Sequence, residues 1–371
     1  MPLSFDIFLS TFNCAKNLPF KDEERLEDLI STLIPCDTKH QVYVLGFQEL
    51  VPIWQGSFPQ LVEQVLSTVS RIAVGYLNES SAHTTYTSVY EKTCGAIGLI
   101  IIANSTLDIK NALGCSIGCG MFYSSLKGGA AAKFTVRDAG EEISDTFVII
   151  CAHMAANEGP FYTERRVSDF ETICTSVREE LGPFKANHVF FLGDLNFRAS
   201  QLLMNDLESA SLSERHQVFS RHDELSRLRR EGRIFQGFEE GNVSFLPTYK
   251  LKRTTRDRIY DSRRSPSWCD RILFKKYENT FQVEIYDTYA RSEILQLSDH
   301  LPVKLSINVP HIHEDNAPIE IFITPPFRKW TKIIGKLSDV VIGYSGWIYA
   351  ITGPYPLLLS VIILILFLWL K

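Results

Sequence analysis

The 371-residue chain is 45% hydrophobic and 22% charged, with a formal net charge of −5. That apolar content supports a large core and excludes a disordered or low-complexity chain. The mild acidity offers no global attraction to phosphate polymers, so no nucleic-acid partner is expected.

The amino terminus lacks the basic region of a signal peptide, and Phe5, Ile7 and Leu9 alternate as in a strand that begins at once. A helix is expected over 21–33, then a strand over 42–47 that ends in Gln48-Glu49. A further apolar run, 146–151, ends in Ala152-His153, and a helix is expected over 162–181. Residues 189–192 then run into Gly193-Asp194-Leu195-Asn196. Short β-branched runs alternating with helical pieces predict an α/β body whose sheets are covered by helices. A single carboxylate at a strand end is unremarkable, because such residues also cap helices and turns. Five ends carrying Asn, Glu, His, Asp-x-Asn and Asp-His together supply hard oxygen ligands for Mg²⁺, a general base and a cationic group for phosphate.

Eight cysteines are scattered along the chain, several within apolar runs. Cys115 and Cys119 have a ligand-like separation but no partner pair, and no cysteine has an arginine six residues on. Zinc binding and cysteine-phosphatase chemistry are therefore disfavoured, and a reduced, cytosolic body fits. The proline-punctuated stretch 310–330, with His311, His313, Glu314 and Asp315, predicts a solvated linker rather than a metal site. Residues 347–370 carry no charge and would reach ~36 Å as a helix, enough for a bilayer core of ~30 Å. Pro354 and Pro356 shorten that reach if only 356–370 is helical, which suits a thin membrane such as the endoplasmic reticulum. Arg328, Lys329, Lys332 and Lys336 precede the span and favour a cytosolic body.

The run Phe190-Phe191-Leu192-Gly193-Asp194-Leu195-Asn196-Phe197-Arg198 resembles the first signature of the inositol polyphosphate 5-phosphatases. Arg264-Ser265-Pro266-Ser267-Trp268-Cys269-Asp270-Arg271 resembles the second, and Ser298-Asp299-His300-Leu301-Pro302 the closing motif. Between them, Phe245-Leu246-Pro247-Thr248-Tyr249-Lys250 and Tyr260-Asp261-Ser262 are also similar to that family, in particular to fungal tail-anchored members acting on phosphatidylinositol 4,5-bisphosphate.

The resemblance implies a four-layered α/β sandwich of two packed β-sheets flanked by helices, followed here by a C-terminal transmembrane helix. It divides the chain into a catalytic domain over 1–309, a linker and basic juxtamembrane segment over 310–346, and a tail anchor over 347–370. It implies Mg²⁺ held by Glu49, with Asn13 and Asp299 near it. Asp194 would take a proton from the attacking water, and Asn196 would hold that water or the phosphoryl group. His300, fixed by Asp270, and His153 would donate to phosphate oxygens. Lys250, Tyr249, Arg271 and Lys127 would contact the substrate, a phosphoinositide lipid with a neighbouring 4-phosphate. A monomeric catalytic domain at the endoplasmic reticulum is expected. Phe12, Leu126, Asn157 and Leu251 depart from the family's usual residues and bear on substrate range rather than on the metal and base set. A nuclease or sphingomyelin phosphodiesterase on the same scaffold would reuse Glu49, Asp194, Asn196, Asp299 and His300 but lack the 245–250 and 264–273 segments. A non-catalytic lipid tether is the third alternative.

Overall fold

A computed structural model describes residues 4–353 except 36, 38, 139–143, 182–186, 201–206, 208–209, 276–280 and 313–328. One sheet contains β1 (Ser4–Asn13), β2 (Val42–Gln48), β3 (Tyr86–Cys94), β4 (Ile97–Asn104), β11 (Gln282–Thr288) and β12 (Val303–Pro310), ordered β11-β12-β1-β2-β4-β3. The other contains β5 (Leu107–Gly118), β6 (Gly128–Asp138), β7 (Ser144–His153), β8 (His188–Asp194), β9 (Phe238–Glu240) and β10 (Asp270–Lys275), ordered β5-β6-β7-β8-β10-β9. Each sheet has one parallel pair at its centre, β1 with β2 and β7 with β8, and its other pairings are antiparallel.

The alternation seen in the sequence sorts β1 between two cores. Phe5, Ile7 and Leu9 enter the core between the sheets, while Phe8 and Phe12 face the other way. There they meet α1 (Glu23–Leu33) and α2 (Pro59–Ser80). The second sheet is covered by α3 (Pro160–Glu180) and α5 (Glu224–Arg230), with Ile173, Val177, Leu225 and Leu228 in a third apolar cluster, while α4 (Leu212–His222) turns Phe219 into the core between the sheets. The layers are therefore helix, sheet, sheet, helix, as the resemblance implies. The sheets meet closely at Gly46: a Cβ there would lie 2.9 Å from both Cys151 Sγ and Leu192 Cδ1.

This topology gathers the site. Because β1, β2, β7 and β8 run the same way within their pairs, Asn13, Glu49, His153 and Asp194 fall at carboxyl ends. β10 is antiparallel to β8 and starts at that end, with Asp270 opposite Asp194. β12 is antiparallel to β1, so Asp299 and His300, just before it, arrive at the same edge. The seven described cysteines are buried and free of disulfides, with the thiols of Cys94, Cys115 and Cys151 pushed up to about 12 by burial first.

The solvated-linker expectation fails at its start. His311 is buried and bonded through Nδ1 to Asp145, and the Ile312 amide donates to the same carboxylate at 3.2 Å, because the chain leaving β12 runs on to β7. His313, Glu314 and Asp315 lie outside the described residues. A helix, α6 (Lys329–Thr352), then packs against the 3-10 turns Gln55–Ser57 and Met121–Tyr123. No described helix is long and apolar enough to cross a membrane. The anchor expected over 347–370 lies mostly outside the described residues, since 354–371 are not among them.

Candidate active site

Asp194 is the centre of the arrangement, and 1% of its surface is exposed. Its Oδ2 accepts from Asn13 Nδ2 at 2.8 Å and lies 3.2 Å from His153 Nε2 and 3.9 Å from His300 Nε2. Its Oδ1 accepts from the Asn196 amide at 3.1 Å. Burial opposes a charge on Asp194, but His300, His153 and Lys127 outweigh it and hold the pKa well below the usual carboxylate range. A buried carboxylate stays ionised between two imidazoles.

Those imidazoles differ. Burial lowers the pKa of His300, but Asp270 and then Asp194 raise it further, to about 9. His300 Nδ1 lies 2.8 Å from Asp270 Oδ2, which also accepts from Thr248 Oγ1 at 2.7 Å. Ser298 fixes the backbone beneath: its Oγ donates to the Asn13 carbonyl at 2.6 Å and accepts from the His300 amide at 3.0 Å. For His153, burial and then Lys127 lower the pKa, and Lys127 Nζ is hydrogen-bonded to its Nε2. His300 is thus a cation at neutral pH and His153 a neutral ring.

Glu49 follows β2 with φ 50°, a left-handed conformation that costs a non-glycine residue about 1 kcal/mol and clusters at functional sites. Burial opposes its charge, yet His153, Lys127, Lys16 and His300 hold its pKa below the ordinary value. Asn196 also has positive φ, 58°, which asparagine tolerates, and its Oδ1 accepts from Arg198 Nη2 at 2.6 Å. The cleft beside Glu49, lined also by Lys16, Leu126, Lys127 and His153, encloses about 250 Å³.

A hard divalent cation suits the oxygen donors offered here: the ionised Glu49 and Asp194 carboxylates and the Asn13 amide. Asp194, Asp270 and His300 also lie within 4.8 Å of one another. A cation among those three would have to break the His300–Asp270 hydrogen bond, so the Glu49 side is the better seat. The Asp299 carboxylate is engaged 3.2 Å from Lys250 Nζ and 3.7 Å from Arg253 Nη2, which places it on the basic wall of the site.

Lys250 stands over the Tyr249 ring, whose centroid is 4.6 Å from that of His300. Arg271, expected at the substrate, is elsewhere. Its neighbour Asp270 faces the site, so Arg271, the next residue on the strand, faces the other side of the sheet. It is fully buried there, forked onto Glu240 at 2.6 Å and bonded to Asp223 at 3.1 Å. Arg198 was given no role from the sequence, although it closes the first signature. Its guanidinium lies 4.7 Å over the Tyr249 ring and adds a nearly buried positive charge beside Asn196.

Comparison with known proteins decides the family. The model for the endonuclease/exonuclease/phosphatase family 2 matches residues 10–306. The chain belongs to that family and, within it, to the inositol polyphosphate 5-phosphatases. It is 29% identical to the type IV inositol polyphosphate 5-phosphatase 9 of Arabidopsis thaliana, over 81% of this chain and 77% of that one. It is 26% identical to synaptojanin of Caenorhabditis elegans over 81% of this chain, but spans only 27% of that longer protein. The inositol polyphosphate 5-phosphatase domain of SPsynaptojanin, crystallised with inositol (1,4)-bisphosphate and calcium, has the same fold: TM-score 0.64, 22% identity, 94% of each chain covered.

Proposed function

We propose that the chain removes the 5-phosphate of phosphatidylinositol 4,5-bisphosphate, leaving phosphatidylinositol 4-phosphate, by direct attack of water with Mg²⁺ as cofactor. The observation that carries this is the ionised, buried Asp194 carboxylate held by Asn13 between an imidazolium and a neutral imidazole. Such a group is ionised at neutral pH and orients the attacking water through a hydrogen bond; its low pKa makes it a weak base, one that takes the proton only late, as the new phosphorus–oxygen bond forms. Bound beside Glu49, the cation supplies charge neutralisation to the phosphoryl group.

The other residues orient and donate. His300, charged and fixed by Asp270, donates from Nε2 to a phosphoryl oxygen, a preorganised contact needing no reorientation. Asn196, tied to the Met154 carbonyl at 3.1 Å and to Arg198, positions the reacting group. Lys250 and Tyr249 flank the site where a 4-phosphate would lie adjacent to the scissile one. The names of the relatives, which specify 5-phosphatases, support the reaction type.

The apolar run 347–370 supports a tail anchor with the body in the cytosol, at the endoplasmic reticulum. Deleting 354–371 from a fluorescent fusion is expected to turn its membrane association from integral to carbonate-extractable, and a deletion that stays resistant to carbonate extraction would refute the anchor. For the reaction, purified protein should release phosphate from phosphatidylinositol 4,5-bisphosphate in a Mg²⁺-dependent manner. Asp194→Ala should lower kcat by at least ~10³-fold. Release without added divalent cation, or persisting in the variant, would overturn the assignment.

A further inference from the structure

Helices that pack on a globular body usually turn their apolar stripe inward. α6 does the reverse. Its closest approaches to the body are made by glycines and an aspartate, with Lys332 paired to Glu180 and Tyr344 edge-on to Phe58 at the margins. A Cβ on Gly335 would lie 2.3 Å from the Tyr123 carbonyl oxygen, and one on Gly346 would lie 2.2 Å from Trp54 Cβ. Asp339 Oδ1 accepts from the Ser125 amide at 2.8 Å, and Ser338 Oγ donates to the Phe122 carbonyl at 3.3 Å. On the opposite side, Trp330, Ile334, Leu337, Val341, Ile348 and Ile351 recur at three-, four- and seven-residue spacing along one stripe, each between 42% and 72% exposed. From Trp330 to Ile351 the stripe runs ~32 Å along the helix.

We propose that this stripe lies in the plane of a phospholipid interface, so that α6 seats the catalytic cleft against a bilayer. α6 is not apolar enough to span, yet it is apolar on one side along its length, the pattern of a helix that lies on a membrane. Trp330 and Trp347, 72% and 46% exposed, are amphipathic rings suited to the headgroup layer. The chain also continues from α6 into 356–370, where Ser360 is the one polar residue. That apolar run leads the end of α6 towards lipid rather than towards a second copy of the body.

The contacts of α6 give the placement a consequence. The segment it holds carries Met121 and Phe122, 66% and 67% exposed, and passes through Ser125 to Lys127 in the cleft. The helix on the lipid and the lysine in the site are thus joined by seven residues of backbone, Met121 to Lys127. The inference draws on the phosphoinositide assignment only for where the substrate resides.

The test uses the full chain on vesicles of phosphatidylcholine, phosphatidylserine and phosphatidylinositol 4,5-bisphosphate. A bimane label at Val341→Cys should be quenched by lipids brominated on their acyl chains; the seven described native cysteines are buried. An unquenched label overturns the proposal, and an unquenched label in a concentration-dependent dimer assigns the stripe to a second copy instead. Quenching needs no turnover, so it reads the helix separately from the cleft chemistry. The double variant Leu337→Asp, Val341→Asp should lose at least ~10-fold in turnover on vesicles while keeping turnover of soluble inositol 1,4,5-trisphosphate within ~2-fold. Equal loss on both substrates, or no loss on vesicles, would make α6 a structural prop and overturn the proposal.

Discussion

Replacing Asp270 with asparagine keeps the shape of the carboxylate and removes its charge. His300 is raised from an ordinary 6.5 to about 9, and Asp270 contributes more to that rise than Asp194 does. The whole elevation corresponds to about 3 kcal/mol at ~1.4 kcal/mol per unit, and burial works against it. Losing the larger of the two opposing charges should therefore bring the His300 pKa down by at least ~1 unit. The sign is set by the direction of the shift. In the native protein the imidazolium persists up to about 9, so its donation survives at pH 8. In Asp270→Asn it is lost as pH rises through a lower value, so the alkaline fall in kcat moves toward neutrality. With the pKa at about 8, about half of the imidazolium remains at pH 8, so the loss there should be at least ~2-fold and should grow at higher pH towards the ~10²-fold scale for removing one preorganised donor. Histidine NMR titration of the metal-free protein reads the pKa directly, and a kcat–pH profile reads its consequence. A His300 titration unchanged by the substitution would refute the account of how this ring is charged.

The other expectations follow from where side chains sit. Lys250→Ala should raise KM for phosphatidylinositol 4,5-bisphosphate ~10-fold and leave a substrate lacking the 4-phosphate little affected, since one charge-assisted contact is worth ~1.5–3 kcal/mol. An equal effect on both substrates would remove Lys250 from 4-phosphate recognition. Arg271→Ala should destabilise the fold by ~3–5 kcal/mol in urea denaturation, because it leaves Asp223 buried without its cation and Glu240 with only the longer 3.6 Å pairing to Arg229. If it instead raised KM without loss of stability, Arg271 would belong to the substrate after all.

Much of the site was legible because strand ends are legible. Apolar runs that stop at Glu49, His153 and Asp194 declare both a buried strand and the polar group it delivers. The position of Arg271 was available by the same logic, since neighbours on a strand face opposite ways and Asp270 had already taken the site-facing place. Motif membership alone hid that alternation. What sequence could not supply was support from distant segments. Thr248 and Ser298 stand in recognisable motifs, but their bracing of Asp270 and of the Asn13 carbonyl, through bonds spanning 22 and 285 residues, has no local signal. α6 was missed for another reason. The prolines before it, its basic residues and the apolar run after it suggested a linker leading into a span, whereas its glycines let the helix backbone approach the body. A chain cut at residue 330 would thus lose a packed element, and a tailless protein is better ended after Gly353.

The order in which the strands are used has a consequence for biosynthesis. β1, translated long before β12, is flanked by β2 and by β12, and Ser4 pairs with Pro310. Until β12 emerges, one side of β1 has no partner and its backbone groups invite other chains to pair there. A nascent chain of 250 residues already carries Asn13, Glu49, His153 and Asp194 but has neither Asp270 nor His300. Hydrolysis must therefore wait until nearly the whole body has been translated, and the open edge needs shelter throughout that wait.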